Sequence, residues 1–530
     1  MPKERLIALF WALVFLVVLC PAAAGSGRAN EKFLIIHLDA VSSLDFFREL
    51  EAGNIPNIAS AFEEGHHVRY GLSLYPGGTE IIYPRLKSGW DNSVHHTVGW
   101  GYLNRETGEI VGDIQVFLEM FRGFPRRNRH QFLLGLPVLR HLAGLSLLNV
   151  PRLLETQDVV EFFWFNTDVM GHLLGKDAHL ESLYWFDYYF GLLLDSGKLN
   201  NVNLVLYSDH GMTTHDVQVI NHNSIISEVL GEHLLYFAYP NVYLVDPGKK
   251  MDVAKIVGAH PQIDLALTMP AHNKVLGYHN SGVFEVNMRD GEFQYLYEEE
   301  DLFDYSSLNY DGAFLSKEDW LSLTREHRYP GVPPNIFSYL SNPNTGDIVI
   351  VLNPPRIPYA IRAQRGNHAG LLNTDTQVPL LLFGPAFRDL DSFEEFWLHE
   401  LYSVHLSMID FQAQPYRENH CITLLHPSKF DVVLSPTHRW RFGAVFSEMV
   451  IEPFLEVDLY SSFLTRLWVG SGVANGRLNL QFRVEAFLSD WSIEWLKRPN
   501  SDSHWRFFWR IHDQIEAVCS NSGIGFRFFF

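Results

Sequence analysis

Seven residues carry side chains that could do chemistry together: Asp39, Thr79, Asp168, His172, Asp209, His210 and His368. Carboxylate and imidazole are ligands a divalent metal ion accepts, and a hydroxyl becomes a nucleophile once its proton is removed. Taken singly, each has a plainer reading. An Asp-x-x-x-His pair such as Asp168 and His172 arises by chance, and an Asp-His dipeptide is weaker still. A lone histidine is usually a structural residue. A threonine after Pro-Gly-Gly, as in "YPGGTEIIYPRLKSG", is usually a turn residue or a helix cap. No Cys-x-x-Cys spacing is present, so any metal site in this chain has to be built from His and carboxylates.

The elements around these residues give them a common address. "KFLIIHLDAV" (Lys32 to Val41) is a buried-strand run ending at Asp39. "VVEFFWFNTDVMGH" repeats the pattern, with Asp168 and His172 just past an apolar strand, and "LNNVNLVLYSDHGM" repeats it again with Asp209 and His210. "VPLLLFGP" reads as a fourth such strand, preceded by His368 in "RGNHAGL". Between the strands, "IPNIASAFEEG" reads as a helix closed by Gly65, and "DAHLESLYWFDYYFGLLLDSGKL" has the apolar spacing of an amphipathic helix. Strands alternating with helices predict an α/β fold, a largely parallel central sheet flanked by helices on both faces. Ligands of such sheets sit beyond the carboxyl ends of the strands, and the polar residues above fall there.

In that order, "HLDAV", "PGGT…SG", "TDVMGH", "YSDHGM" and "GNHAGL" resemble the motifs of the alkaline phosphatase superfamily. The nearest likeness is to its type I phosphodiesterase and nucleotide pyrophosphatase branch. It extends from about residue 32 to about 415 and includes "YPGVPPNIFSYLSNPNTGDIVIVL". The resemblance implies two Zn²⁺ ions per chain, other divalent transition metals being compatible with the same ligands. Asp168, His172 and His368 would hold one. Asp39, Asp209 and His210 would hold the other, with Thr79 as its nucleophilic ligand. The implied activity is hydrolysis of a phosphomonoester or phosphodiester through a phospho-threonine, on a small-molecule or lipid-linked substrate. The alternatives are phosphotransfer or phosphonate hydrolysis on the same core, or a noncatalytic surface protein that binds metal or ligand.

The likeness has a departure. Nucleotide pyrophosphatases follow the nucleophile with Phe-Pro-Asn, whereas this chain has Glu80, Ile81 and Ile82, which argues against nucleotide pyrophosphatase activity in particular. Arg85 and Lys87, in the same stretch, read as exposed helix charges.

The remainder of the chain bounds the reading. Of 530 residues 47% are hydrophobic and 19% charged, enough for a large core, and the formal net charge of -20 excludes nonspecific nucleic-acid binding. "MPKER", then "LIALFWALVFLVVL", then "CPAAAGSG" reads as a signal peptide over residues 1–24, with an uncleaved anchor as the second reading. The expected location is periplasmic or extracellular. Cys421 and Cys519 are the cysteines left after cleavage, and their pairing is open. The catalytic domain is expected over 30–425. It would carry an apolar helical insertion at about 104–157 ("QFLLGLPVLRHLAGLSLL") and an α+β cap at about 235–355. Residues 426–530 alternate as half-buried antiparallel strands and end in "GIGFRFFF", which resembles the last strand of an outer-membrane barrel. A β-rich appendage packed on the core is the expectation for this region, and peripheral or outer-membrane association the alternative.

Overall fold

The structure is a computed structural model. It describes residues 31–89, 97–112, 116, 130–135, 140–214, 216–359 and 364–409, and the backbone of nine strands between 429 and 529. Residues 1–24, expected to be a signal peptide, and Cys421 lie outside the described residues. Two compact units separate near residue 416.

The larger unit is built on two sheets. The chain first lays down β1 (Lys32–Leu38), β2 (His66–Leu72), β3 (His130–Gly135), β4 (Val159–Trp164) and β5 (Val202–Ser208). It then forms β6 (Leu234–Ala238), β7 (Asn241–Leu244), β8 (Leu265–Ala271), β9 (Lys274–His279), β10 (Gly282–Arg289), β11 (Glu292–Glu298) and β12 (Ile348–Val351). It returns with β13 (Gln377–Phe383) and β14 (Glu395–Trp397). The central sheet has the order β14-β2-β13-β5-β1-β4-β3, and the second sheet, entirely antiparallel, the order β11-β10-β9-β8-β12-β7-β6.

The central strands read as continuous apolar runs because both faces are covered. Alternate residues of β1 go to opposite cores. Leu34, Ile36 and Leu38 join helix residues Phe46, Ile58, Phe186 and Phe190, while Phe33 and Ile35 join Ile82, Leu86, Leu401 and Tyr402. The expected α/β class is therefore what the chain adopts. No helix among the described residues is long and apolar enough to cross a membrane.

Two local expectations need correction. "QFLLG" is not helix: it forms β3, paired parallel to β4 at the sheet edge, and the helix that follows spans Arg140–Leu147. A short apolar run has no period that separates strand from helix, and pairing with β4 decides it. The second correction concerns direction. β13 is not a further parallel strand but runs antiparallel to both β5 and β2. That reversal has a consequence for the site. A parallel β13 would bring the residues before it to the opposite end of the sheet, whereas the antiparallel strand brings His368 to the carboxyl rim of β1, β4 and β5.

The turn after β5 is tied to the approach to β13. The Gly211 N–H donates to the Asp375 carbonyl at 2.9 Å, and a Cβ on Gly211 would stand 2.0 Å from the Thr374 carbonyl oxygen and 2.8 Å from Ser42 Cβ. Both obstacles are held by backbone, so this position has room only for hydrogen. Gly211→Ala is expected to cost about 1–3 kcal/mol of unfolding free energy, measured by denaturant titration.

Candidate metal and nucleophile site

The site is assembled at the carboxyl ends of three adjacent parallel strands. Leu38 of β1 pairs in register with Trp164 of β4 and Ser208 of β5. The next residues along β1 and β5 are Asp39 and Asp209, and just beyond β4 helix α4 (Asn166–Leu174) carries Asp168 and His172. We number α1 as Ser43–Glu51, α2 as Pro56–Ala61 and α3 as Thr79–Ser88. Asp168 and His172, one turn apart, lie on one side of α4, with His172 Nε2 3.2 Å from Asp168 Oδ1.

Thr79 is delivered by the loop after β2 and is the first residue of α3. The Tyr75 N–H donates to Asn335 Oδ1 at 2.7 Å, and Asn335 Nδ2 donates to the Ser73 carbonyl at 2.9 Å. One buried amide thus fixes the start of the loop on both sides of Leu74. The two glycines leave room for neighbours: a Cβ on Gly77 would stand 3.3 Å from His210 Cβ and one on Gly78 2.7 Å from the Glu80 carboxylate. The Gly77 carbonyl accepts from His368. The Thr79 hydroxyl donates to Asp209 Oδ2 at 2.8 Å and lies 3.4 Å from Asp39 Oδ1 and 3.3 Å from His210 Nε2.

Each of the three histidines has its Nδ1 on a backbone carbonyl. His172 Nδ1 meets the Gly366 carbonyl at 2.9 Å, His210 Nδ1 meets that of Gly211 at 2.9 Å, and His368 Nδ1 meets that of Gly77. A carbonyl only accepts, so each Nδ1 carries the proton and each Nε2 of the neutral ring offers a lone pair. All three Nε2 atoms stand by carboxylates: His172 and His368 by Asp168 Oδ1, the latter at 3.5 Å, and His210 by Asp39 Oδ1 at 3.5 Å. The His210 and His368 ring centroids are 4.0 Å apart.

Electrostatically the cluster needs positive charge. Asp39, Asp168 and Asp209 are all buried, and Asp39 Oδ2 has no hydrogen-bond partner. Burial, then the charges of Asp209 and Asp168, push the Asp39 carboxyl well above its ordinary range. Burial works to raise Asp209 too, but His210 and His37 outweigh it and hold the group low. Burial followed by His210 and His172 lowers His368 well below an ordinary histidine, which keeps it neutral and able to ligate. Buried like charges at this spacing are costly unless a cation joins them. Three groupings place ligand atoms within 4.8 Å of one another: Asp168 with His172 and His368; Asp39 with Asp168 and His210; and His37 with Asp39 and Asp209. The donor set, the released Nε2 atoms and the orphaned Asp39 oxygen all fit bound divalent metal.

All seven sequence-derived residues meet in this one place. The sequence reading missed three others. His37, fully buried, has Nε2 3.1 Å from Asp209 Oδ1; its signal was its position two residues before Asp39. Asn335, in "PPNIF", left no signal short of the fold. Glu80 folds its carboxylate back over the start of α3, where burial raises it to about 7. Arg85, expected to be exposed, is buried within α3, its guanidinium donating to the carbonyls of Ile81 and Thr97. It satisfies backbone rather than facing solvent.

Residues 123–359 match the family described as Type I phosphodiesterase / nucleotide pyrophosphatase. The resemblance of the motifs to the type I phosphodiesterase branch of the alkaline phosphatase superfamily is thus matched over this span. This phosphodiesterase-like chain is a hydrolase acting on phosphoric ester bonds. The matched span contains Asp168, His172, Asp209 and His210, while Asp39, Thr79 and His368 join them through the geometry above. No curated protein matches the chain. Among solved structures, murine ectonucleotide pyrophosphatase/phosphodiesterase 5 is 17% identical, with a TM-score of 0.48 over 73% of this chain and 97% of that one. The human protein gives 17% and 0.47 over the same shares.

With its carboxyl raised to about 7, Glu80 adds negative charge at the start of α3 above that pH. Glu80→Gln is expected to tighten inhibition by inorganic phosphate about two- to fivefold at about pH 8 and to change it less at about pH 6, read from the inhibition constant.

Proposed function

We propose that this phosphoester hydrolase is exported and works with two zinc ions, transferring the phosphoryl group of a phosphomonoester or phosphodiester to Thr79. The observation that carries the reading is the placement of the Thr79 hydroxyl within 3.4 Å of Asp209, Asp39 and His210. Asp168, His172 and His368 would hold one ion, and Asp39, Asp209 and His210 the other. When bound, the ions make the threonine alkoxide accessible and neutralise charge on the phosphoryl oxygens.

The protein's own groups do the rest. Asp209 Oδ2 accepts from the Thr79 hydroxyl and orients it, and Asn335 keeps the loop from drifting. Thr79 Oγ attacks phosphorus in line, an O–P bond forms, and the bond to the leaving alkoxide breaks. The proton that Thr79 gives up passes to water and the departing alkoxide takes one from water, so it leaves as the alcohol. The positive end of α3 faces the charge that gathers on the phosphoryl oxygens. Water then attacks phosphorus, releases phosphate or its monoester, and restores the hydroxyl. His37 holds Asp209 from behind. Export is supported by the charged, apolar and small-residue order of residues 1–24, and substrates of small-molecule or lipid-linked type suit a site outside the cytoplasm.

The test uses zinc-loaded protein with p-nitrophenyl phosphate and its bis ester. Thr79→Ala is expected to lower kcat by about 10³-fold or more while metal content stays that of the parent. Acid quenching during turnover of the parent should leave a phosphoryl adduct on the peptide holding Thr79, seen by mass spectrometry. Turnover unaffected by Thr79→Ala, or an adduct on another residue, would overturn the reading. Product formed only when an acceptor alcohol is present would identify a transferase.

A further inference from the structure

The smaller unit is a closed barrel of nine strands: β15 (Lys429–Thr437), β16 (Trp440–Ser447), β17 (Val450–Ser461), β18 (Thr465–Ala474), β19 (Arg477–Ala486), β20 (Trp491–Lys497), β21 (His504–His512), β22 (Ile515–Ser520) and β23 (Gly523–Phe529). Neighbours are antiparallel except where β23 closes on β15 in parallel. Closure leaves no sheet edge, which is what a β structure needs to exist in hydrocarbon.

Residues opposite one another in register share a face, so the pairing divides the barrel into two faces, apart from register shifts near Leu434, Asp458 and Arg510. On β19 the division is complete. Leu478, Leu480, Phe482, Val484 and Ala486 lie on one face, and Arg477, Asn479, Gln481, Arg483 and Glu485 on the other. Carried around the barrel, the first face is predominantly apolar on all nine strands, with Thr465, Ser471 and Lys497 among its polar members. It takes in Phe442 and Leu455, then Ile493 and Phe507, then Ala517 and Phe526. The second face carries opposite charges in register. Arg483 stands opposite Glu494, which stands opposite Arg506; Glu516 stands opposite both Arg510 and Arg527.

An apolar face running right round a barrel is either its lumen or a surface against lipid. Bulk separates the two. The concave side of a barrel this narrow is filled by ordinary side chains alone. All five strand glycines (Gly443, Gly470, Gly472, Gly523 and Gly525) belong to the charged face, whereas twelve of the sixteen strand Phe and Trp residues belong to the apolar one. Small residues suit the crowded concave side and large ones the convex side. The ends of the strands agree. Trp440 and Trp491, each the first residue of its strand, and Trp509, opposite Trp491, stand near one rim on the apolar face. Tryptophan is enriched where a membrane surface meets water. Five strands have nine to twelve residues, matching the roughly 9–11 that a tilted membrane strand uses.

We propose that residues 429–529 form a membrane-spanning barrel whose apolar face meets the lipid bilayer and whose charged face is the lumen.

The test uses the full chain reconstituted in phosphatidylcholine vesicles and floated on a density gradient after an alkaline carbonate wash. The parent chain should float with the vesicles. Phe482→Arg, in the middle of the apolar face, should lower the carbonate-resistant fraction by about tenfold or more, and Gln481→Arg, one residue along on the other face, by less than about twofold. Because the apolar run near the N-terminus could hold a chain on a vesicle, the contrast between these variants carries the assignment. A second readout does not depend on a variant folding. Bromine on the acyl chains should quench a large share of the parent chain's tryptophan fluorescence. A parent chain released by carbonate, absence of quenching, or equal loss in both variants would overturn the proposal, and a water-soluble barrel that takes up an apolar dye would put the apolar face in the lumen.

Discussion

Three carboxylates, Asp39, Asp168 and Asp209, are brought out of water at one end of one sheet, and the site around them answers that constraint. Isolated buried carboxylates either take up a proton or find a cation. The protein supplies imidazoles rather than lysines or arginines, each turned by a backbone carbonyl so that Nε2 points into the carboxylate cluster. That is an arrangement for coordination, since a fixed cationic side chain would fill the space an ion needs. The same carbonyls do two jobs: Gly77 lies in the loop that carries Thr79, and Gly211 lies in the turn that carries His210. Orientation of the ligands and placement of the nucleophile are therefore mechanically linked.

Strand direction completes the arrangement. β1, β4 and β5 run in parallel, so their carboxyl ends fall at one rim, and residues that follow them come together without a long loop. His368 arrives from nearly two hundred residues downstream of His172 only because β13 is reversed, which puts the segment before it at that rim. The 366–370 stretch is then stitched down beside the β5 turn through the Thr213 and Asn367 bridge. Close packing leaves little slack. A Cβ on Gly171 would stand 2.2 Å from the Met212 sulfur, so the glycine of "VMGH" and the methionine of "DHGM" occupy neighbouring space.

Much of this was legible in the sequence because the chemistry sits where strand periodicity stops. Asp39, Asp168 and Asp209 each follow an apolar run, and a rule about carboxyl ends of strands is enough to group them. The direction of β13 was not legible: "VPLLLFGP" is equally apolar in either sense, and direction depends on partners far away in the chain. Nor was Arg85. A charged residue in a helix is read as exposed unless its acceptors are known, and here they are the carbonyls of Ile81 and Thr97, the latter beyond the helix. Glu80 escaped because its carboxylate folds back locally over the start of α3, and Asn335 because its partners Ser73 and Tyr75 lie far away in the chain. In the smaller unit the alternation was visible strand by strand, but that one predominantly apolar face continues through all nine strands is apparent only from the register.

The measurement closest to the central claim is the metal content of the purified chain after exhaustive dialysis, paired with thermal unfolding before and after chelation. Two tightly held divalent ions per chain are predicted, with a melting temperature that falls on chelation and recovers when zinc is returned, because removing the ions leaves the three carboxylates facing one another. A chain that retains no divalent metal and melts at the same temperature with or without chelator would contradict the account.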